Sequence, residues 1–232
     1  MTGEHSSSQY NHDLEVIRSQ VLLMGGLVES HFRDAMNCYR SGDAAQSQAV
    51  VKSDEEVNRL EIVLDDLCSH LIVKRQPAAN DLRTVMATGK VITDLERIGD
   101  ESTKIARIAQ EMMSKNGGNI LFSGYDMVKG MADNVENMLH QALDVFARHD
   151  DEKALQLIAY DQIIDTDCRA IMHNLMKAMM EDSTVISAAL DALWVTKAIE
   201  RIGDHAKNIA EHTIYIVAGR DIRHSALPEV KK

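Results

Sequence analysis

Proline and aromatic residues are scarce in this chain of 232 residues, which has two prolines and an aromatic share of 4%. Strands draw on aromatic and β-branched side chains, so a mostly helical protein is expected, with a core of Leu, Ile, Val, Met and Ala. The three cysteines, Cys38, Cys68 and Cys168, stand apart with no Cys-x-x-Cys pair and are expected as buried, reduced thiols. No apolar run approaches the roughly 20 residues needed to cross a bilayer. The N-terminus has no signal-peptide core, so cytosol is the expected compartment and any membrane association is expected through a partner. Basic residues are also in deficit: 25 Lys and Arg against 36 Asp and Glu, a formal charge of −11. This argues against a nucleic-acid surface, which needs clustered Lys and Arg, and leaves cations and basic partner surfaces as better matches. A Gly-rich phosphate loop with convergent basic residues is missing, which counts against a phosphohydrolase.

What the chain does have is a repeat. Glu96-Arg97-Ile98-Gly99-Asp100 returns unchanged as Glu200-Arg201-Ile202-Gly203-Asp204. The offset, 200 − 96 = 204 − 100 = 104, is close to half the chain and indicates duplication of a whole structural unit. Apolar residues around both copies recur at helical spacing. The pattern predicts an all-α fold: two tandem repeated three-helix bundles, six long antiparallel helices in all, packed in series. The first three helices are expected at about 12–40, 44–75 and 80–116, the last three at about 123–148, 151–180 and 184–218. Gly42, Pro77, Gly117-Gly118, His149 to Asp151, Asp182-Ser183 and Gly219 mark the breaks. The corresponding organisation is a disordered N-terminus at 1–10, a first repeat at 11–118, a second at 119–219 and a tail at 220–232.

Within each pentapeptide the two carboxylates stand four residues apart, side by side on a helix, where like charges cost roughly 0.2–0.5 kcal/mol. Accepting that cost twice suggests that a cation comes to the face. On the sixth helix Glu200, Asp204 and Asn208 form a row at i, i+4 and i+8, and Asp161 and Asp165 repeat the spacing on the antiparallel fifth helix. Gly203 removes a side chain between the acids. In the first repeat the counterparts are Asp54 and Asn58 facing Glu96 and Asp100. Such all-oxygen grooves suit hard cations (Mg, Mn, Ca or ferric Fe), with Zn if His205 or His212 reaches the row. Asn58 replaces an acid, and Lys104 is placed to pair with Asp100, so the second site is expected to bind more tightly. A solvated surface row is the ordinary alternative. His31, His70, His140 and His173 are expected at surfaces or interfaces, and Met176 to Met180 as core filler.

These residues resemble the PhoU family of bacterial phosphate-signalling regulators from about Leu14 to His224. The likeness rests on Asp94-Leu95-Glu96-Arg97-Ile98-Gly99-Asp100, the run from Ile199 to Glu211, Arg75 to Arg83, and Met179-Met180-Glu181-Asp182. It implies a non-enzymatic protein with metals at the paired acidic motifs. Such a protein links the phosphate ABC transporter, through its ATPase subunit, to a sensor histidine kinase at the inner membrane. It suppresses the phosphate-starvation response and restrains phosphate uptake. Phe146-Ala147-Arg148 is similar to a family segment and is the expected partner contact. Long helices with apolar faces predict a homodimer. The rival reading is a di-metal carboxylate enzyme or ferritin-like protein, but the usual Glu-x-x-His pairs are missing.

Overall fold

A computed structural model describes residues 3–116 and 125–222. Six α-helices follow one another: α1 Gly3–Ser41, α2 Ala44–Arg75, α3 Ala79–Asn116, α4 Tyr125–Arg148, α5 Asp151–Glu181 and α6 Ile186–Ala218. A 3₁₀ turn, Ser183–Val185, leads into α6, and no strand occurs among the described residues. The boundaries follow local chemistry. Asp43 caps α2 by accepting from the Ala45 and Gln46 amides, and Asp150 caps α5 by accepting from that of Lys153. Gln76, in the left-handed region at φ 46°, ends α2 just before Pro77, and Gly219 at φ 67° ends α6. The predicted helix start at Ser123, the break at Gly117-Gly118, the boundary between repeats at 118 and the tail beyond 222 lie outside the described residues.

Helices α1 to α3 form one bundle and α4 to α6 the other, but they are not in series. They lie side by side: α3 packs on α1, α2 and α6, and α6 packs on α3, α4 and α5. One hydrophobic core runs through both bundles. A helix hemmed in from several sides needs small side chains, and buried Thr88, Ser102 and Ala106 on α3 match Ala192, Ala206 and Ala210 on α6. Arg201 meets Glu101, and Asn208 meets Asp94, so α3 and α6 run antiparallel and bring the two pentapeptides to the same level. A second seam joins α1 to α4. There a Cβ at Gly25 would lie 2.6 Å from Leu143 Cδ2, so glycine lets the leucine side chain pack directly on the α1 backbone.

Several sequence expectations are corrected. The stretch 1–10, expected to be disordered, is helical from Gly3, with Met1 and Thr2 outside the described residues. Tyr10 is buried and donates to the Asp81 carbonyl at 3.0 Å, while Arg75 donates to Gln9 and Asp13 at 2.9 Å each. Burial, then Asp81, pushes the Tyr10 hydroxyl up to about 12. One aromatic anchor and one arginine thus order a stretch whose composition reads as polar. His31 is buried, with its Nε2 donating to the Val50 carbonyl at 2.7 Å. Met176 and Met180 are exposed instead of filling the core. All three cysteines are buried free thiols.

Candidate functional site

The acidic rows meet as helix pairs, α2 with α3 and α5 with α6, but their charges are balanced differently. In the second repeat Asp161 is 7% exposed and accepts from the Lys207 ammonium at 2.6 Å; the same ammonium donates to Asp204 at 3.1 Å. Glu200 accepts from Lys197 at 2.6 Å, and Asp165 lies half-buried beside Asp161. Burial alone would lower the pKa of the Lys207 ammonium, but its bonds to Asp161 and Asp204 outweigh this and hold it above the ordinary lysine range. Asn208 does not join the row. At 3.6 residues per turn, each step of four drifts by about 40°, so a residue two steps on has turned by about 80°. That rotation carries Asn208 to α3, where its amide donates to Asp94 at 3.1 Å.

In the first repeat the oxygens are left over. Asp54 Oδ1, Asn58 Oδ1 and Glu96 Oε2 are buried without hydrogen-bond partners. Arg97 approaches Glu96 at 3.4 Å and Asp100 at 3.6 Å, both longer than a hydrogen-bonded ion pair. The expected Asp100–Lys104 pair does not form; Lys104 turns to Glu101 at 3.2 Å, a shorter reach along its own helix. Burial, followed by repulsion from neighbouring acids, holds the carboxyls of Glu96, Asp100 and Glu61 above the usual range. Gly99 makes the crowding feasible, because a Cβ there would sit 3.2 Å from Val57 and 3.3 Å from Asp54 Oδ1. At Gly203 the nearest neighbours, Ile164 and Val135, are at 3.4 and 3.6 Å, ordinary contact.

The unpaired oxygens therefore lie in the first row, the reverse of the expected order, and they are the kind of donors a hard cation takes. The second row does not fit a metal as it stands, because a lysine already fills the place between its acids. Among the described residues no group of three or more His, Cys, Asp or Glu side chains converges closely enough to hold a metal ion, so loading the first row requires its side chains to turn inward.

Two functional residues escaped the sequence reading, Lys207 and Asp94. Asp94 is buried on α3 and binds three α6 side chains: His205 Nδ1 at 2.8 Å and Asn208 at Oδ1, and His212 Nε2 at 3.1 Å at Oδ2. Both ring nitrogens facing it must carry protons. Burial would raise its carboxyl pKa, but these donors prevail and hold it below the ordinary range. An open groove of ≈ 780 Å³ between α3 and α6 is lined by Lys90, Asp94, Asp204, Lys207 and His212 among others. The signal for both residues lay in comparing the copies at the offset of 104: Asp94 aligns with Ala198, and Lys207 with Thr103.

The partner segment is also corrected. Phe146 is 2% exposed, packed edge-on to His149, and the Ala147 carbonyl accepts from Arg18; only Arg148 is exposed, paired with Asp144 at 2.5 Å. An aromatic at the close of an amphipathic helix points with the apolar stripe, into the core.

A duplicated six-helix protein with acidic rows on paired helices defines a class of helical-bundle protein whose motifs resemble those of phosphate-signalling regulators. No helix among the described residues is long and apolar enough to cross a membrane. The PhoU domain family model matches residues 21–109 and 128–213, and the chain belongs to the PhoU family. It is similar to the phosphate-specific transport system accessory protein PhoU homolog of Pseudomonas putida, 43% identical over 223 residues that cover 96% of this chain and 86% of that one. The phosphate-specific transport system accessory protein PhoU of Escherichia coli (strain K12) is 41% identical over 230 residues, 99% of this chain and 94% of its own. The crystal structure of PhoU from Pseudomonas aeruginosa superposes with a TM-score of 0.86 at 40% identity, covering 91% of this chain and all of that one. The Streptococcus pneumoniae phosphate transport system regulatory protein PhoU, at 24% identity and a TM-score of 0.83, shares the fold.

Proposed function

We propose that this chain is a negative regulator of the phosphate-starvation response and of phosphate uptake, acting as an adaptor between the phosphate ABC transporter and its sensor histidine kinase. The observation that carries the reading is the full-length likeness to phosphate-specific transport system accessory proteins. An adaptor needs no catalytic group. It needs a surface that binds one conformation of the kinase or the transporter ATPase better than another, and a few kcal/mol of difference suffices. The chain works at the cytoplasmic face of the inner membrane through these partners, as a homodimer.

Asp54, Asn58, Glu96 and Asp100 would hold a hard divalent or trivalent cation, Mg, Mn or Fe, across α2 and α3. When bound, that cation supplies positive charge to oxygens that otherwise repel one another. The four side chains fix the spacing of the two helices and thereby the outer face of the first bundle. The test is capture of the purified chain by the kinase's cytoplasmic region and by the transporter ATPase, with and without Mn, alongside Glu96→Gln/Asp100→Asn. Specific capture that weakens without metal and in the variant supports the reading. Capture by neither partner, together with an unchanged phosphate-responsive reporter after gene deletion, would overturn it.

A further inference from the structure

The two acidic rows descend from one motif, yet the second is partly neutralised by two lysines that the first lacks. Lys207 aligns with Thr103 and Lys197 with Thr93 at the offset of 104. Lys207 bridges Asp161 and Asp204 at 2.6 and 3.1 Å, and Lys197 holds Glu200 at 2.6 Å. In the first repeat Thr103 is buried with its hydroxyl unpartnered, and Asp54 Oδ1, Asn58 Oδ1 and Glu96 Oε2 have no hydrogen-bond donor, while Asp54 Oδ2 has only the long contact from the Asn58 amide at 3.5 Å. A hard cation would sit about 2.0–2.6 Å from the same carboxylate oxygens, inside the volume that the Lys207 ammonium fills. Metal and lysine are therefore mutually exclusive between α5 and α6.

We propose that Lys207, helped by Lys197, is a resident cation of the second repeat, closing α5 onto α6 without metal and leaving the first repeat as the row that takes a hard cation. This rests on the reading of the first row given above. It also makes the duplication a division of labour: a row bridged by its own lysines, and an open row whose charge depends on the surroundings. The lysine acts through a rigid geometry. Asp161 is anchored on α5 and buried, whereas Lys207 and Asp204 share one face of α6, so one ammonium ties two helices.

The test transplants the first repeat's residues into the second. Mn binding is counted by equilibrium dialysis on the full chain for the wild type, Lys197→Thr/Lys207→Thr, Asp161→Asn/Asp204→Asn, and Asp54→Asn/Glu96→Gln, with circular dichroism on each. The wild type should bind about one ion per chain, the lysine variant about two, and the first-row variant close to none. Combining the lysine and first-row variants should restore about one ion, now in the second row. An unchanged count in a folded lysine variant overturns the proposal, as does any loss of metal from the wild type on Asp161→Asn/Asp204→Asn. The latter comparison decides the matter if the lysine variant does not fold. A wild type that binds none, beside a lysine variant that binds about one, would refute metal loading of the first row and leave the role of Lys207 standing.

Discussion

Removing Asp94 should do more damage than removing any surface carboxylate, because this one side chain satisfies three donors across the contact between the bundles. In Asp94→Ala, His205, Asn208 and His212 lose their shared acceptor. His205 is half-buried and can turn to water, but His212, 5% exposed, cannot. The substitution removes the charge itself and leaves donors without an acceptor, at about 1–3 kcal/mol for each buried one and about 3–5 kcal/mol for the set. In a protein of this size that corresponds to a fall in Tm of about 10 °C. Asp94→Asn, which keeps one acceptor but sets an amide against the other donors, should lie between. Urea unfolding at pH 7 measures the difference, and hydrogen exchange should show α3 and α6 amides opening first. The pH dependence has a definite sign. Asp94 is held below its ordinary range, so its contribution is complete above about pH 4 and is lost as the pH falls through the depressed value. A loss below about 1 kcal/mol at pH 7, or a gap between wild type and variant that widens in acid, refutes the reasoning.

Other outcomes follow from the same geometry. Gly203→Ala meets only ordinary contacts and should stabilise the chain by about 0.5–1 kcal/mol in urea melts, whereas Gly99→Ala, pressed on Val57 and Asp54, should gain nothing or lose; equal shifts would contradict this. Phe146→Ala should cost about 3–5 kcal/mol as a core deletion, and Arg148→Ala less than about 0.5 kcal/mol, which calorimetry separates. For Glu96 the raised carboxyl pKa means stability is gained as the pH falls through the raised value. Metal-free wild type should therefore gain stability from this group as the pH falls through the raised value, and Glu96→Gln should add about 0.5 kcal/mol at pH 7 and flatten that part of the profile. A flat wild-type profile would count against crowding in the first row.

Helix number, order and most ends, the start of α1 excepted, were legible because they depend on local chemistry: period, Asp caps, Pro77 and Gly219. The packing of the two bundles was not, since the face that α3 offers to α6 is written in small residues that carry little hydrophobic signal. The acidic residues were found by their spacing, but their partners depend on the rotation of one helix against two neighbours, which sent Asn208 to Asp94. No role for Lys207 was legible, because nothing in a single copy marks it as different from its neighbours. Tyr10 shows the converse: a polar stretch acquires order from one contact about seventy residues away in the chain.

The antiparallel meeting of α3 and α6, with both pentapeptides level, is the geometry of an isologous contact between two identical subunits. In a true pair of identical chains, every residue at such a contact must serve on both sides of the axis. Joining the copies covalently makes the encounter intramolecular, with an effective concentration no free pair reaches in dilute solution. It also releases each side to change alone. A carboxylate can then stand at position 94 with alanine at 198, and the imidazoles of His205 and His212 can answer it where the first copy has Glu101 and Ile108. The Asp94 cluster is a contact that only a fused chain can specialise.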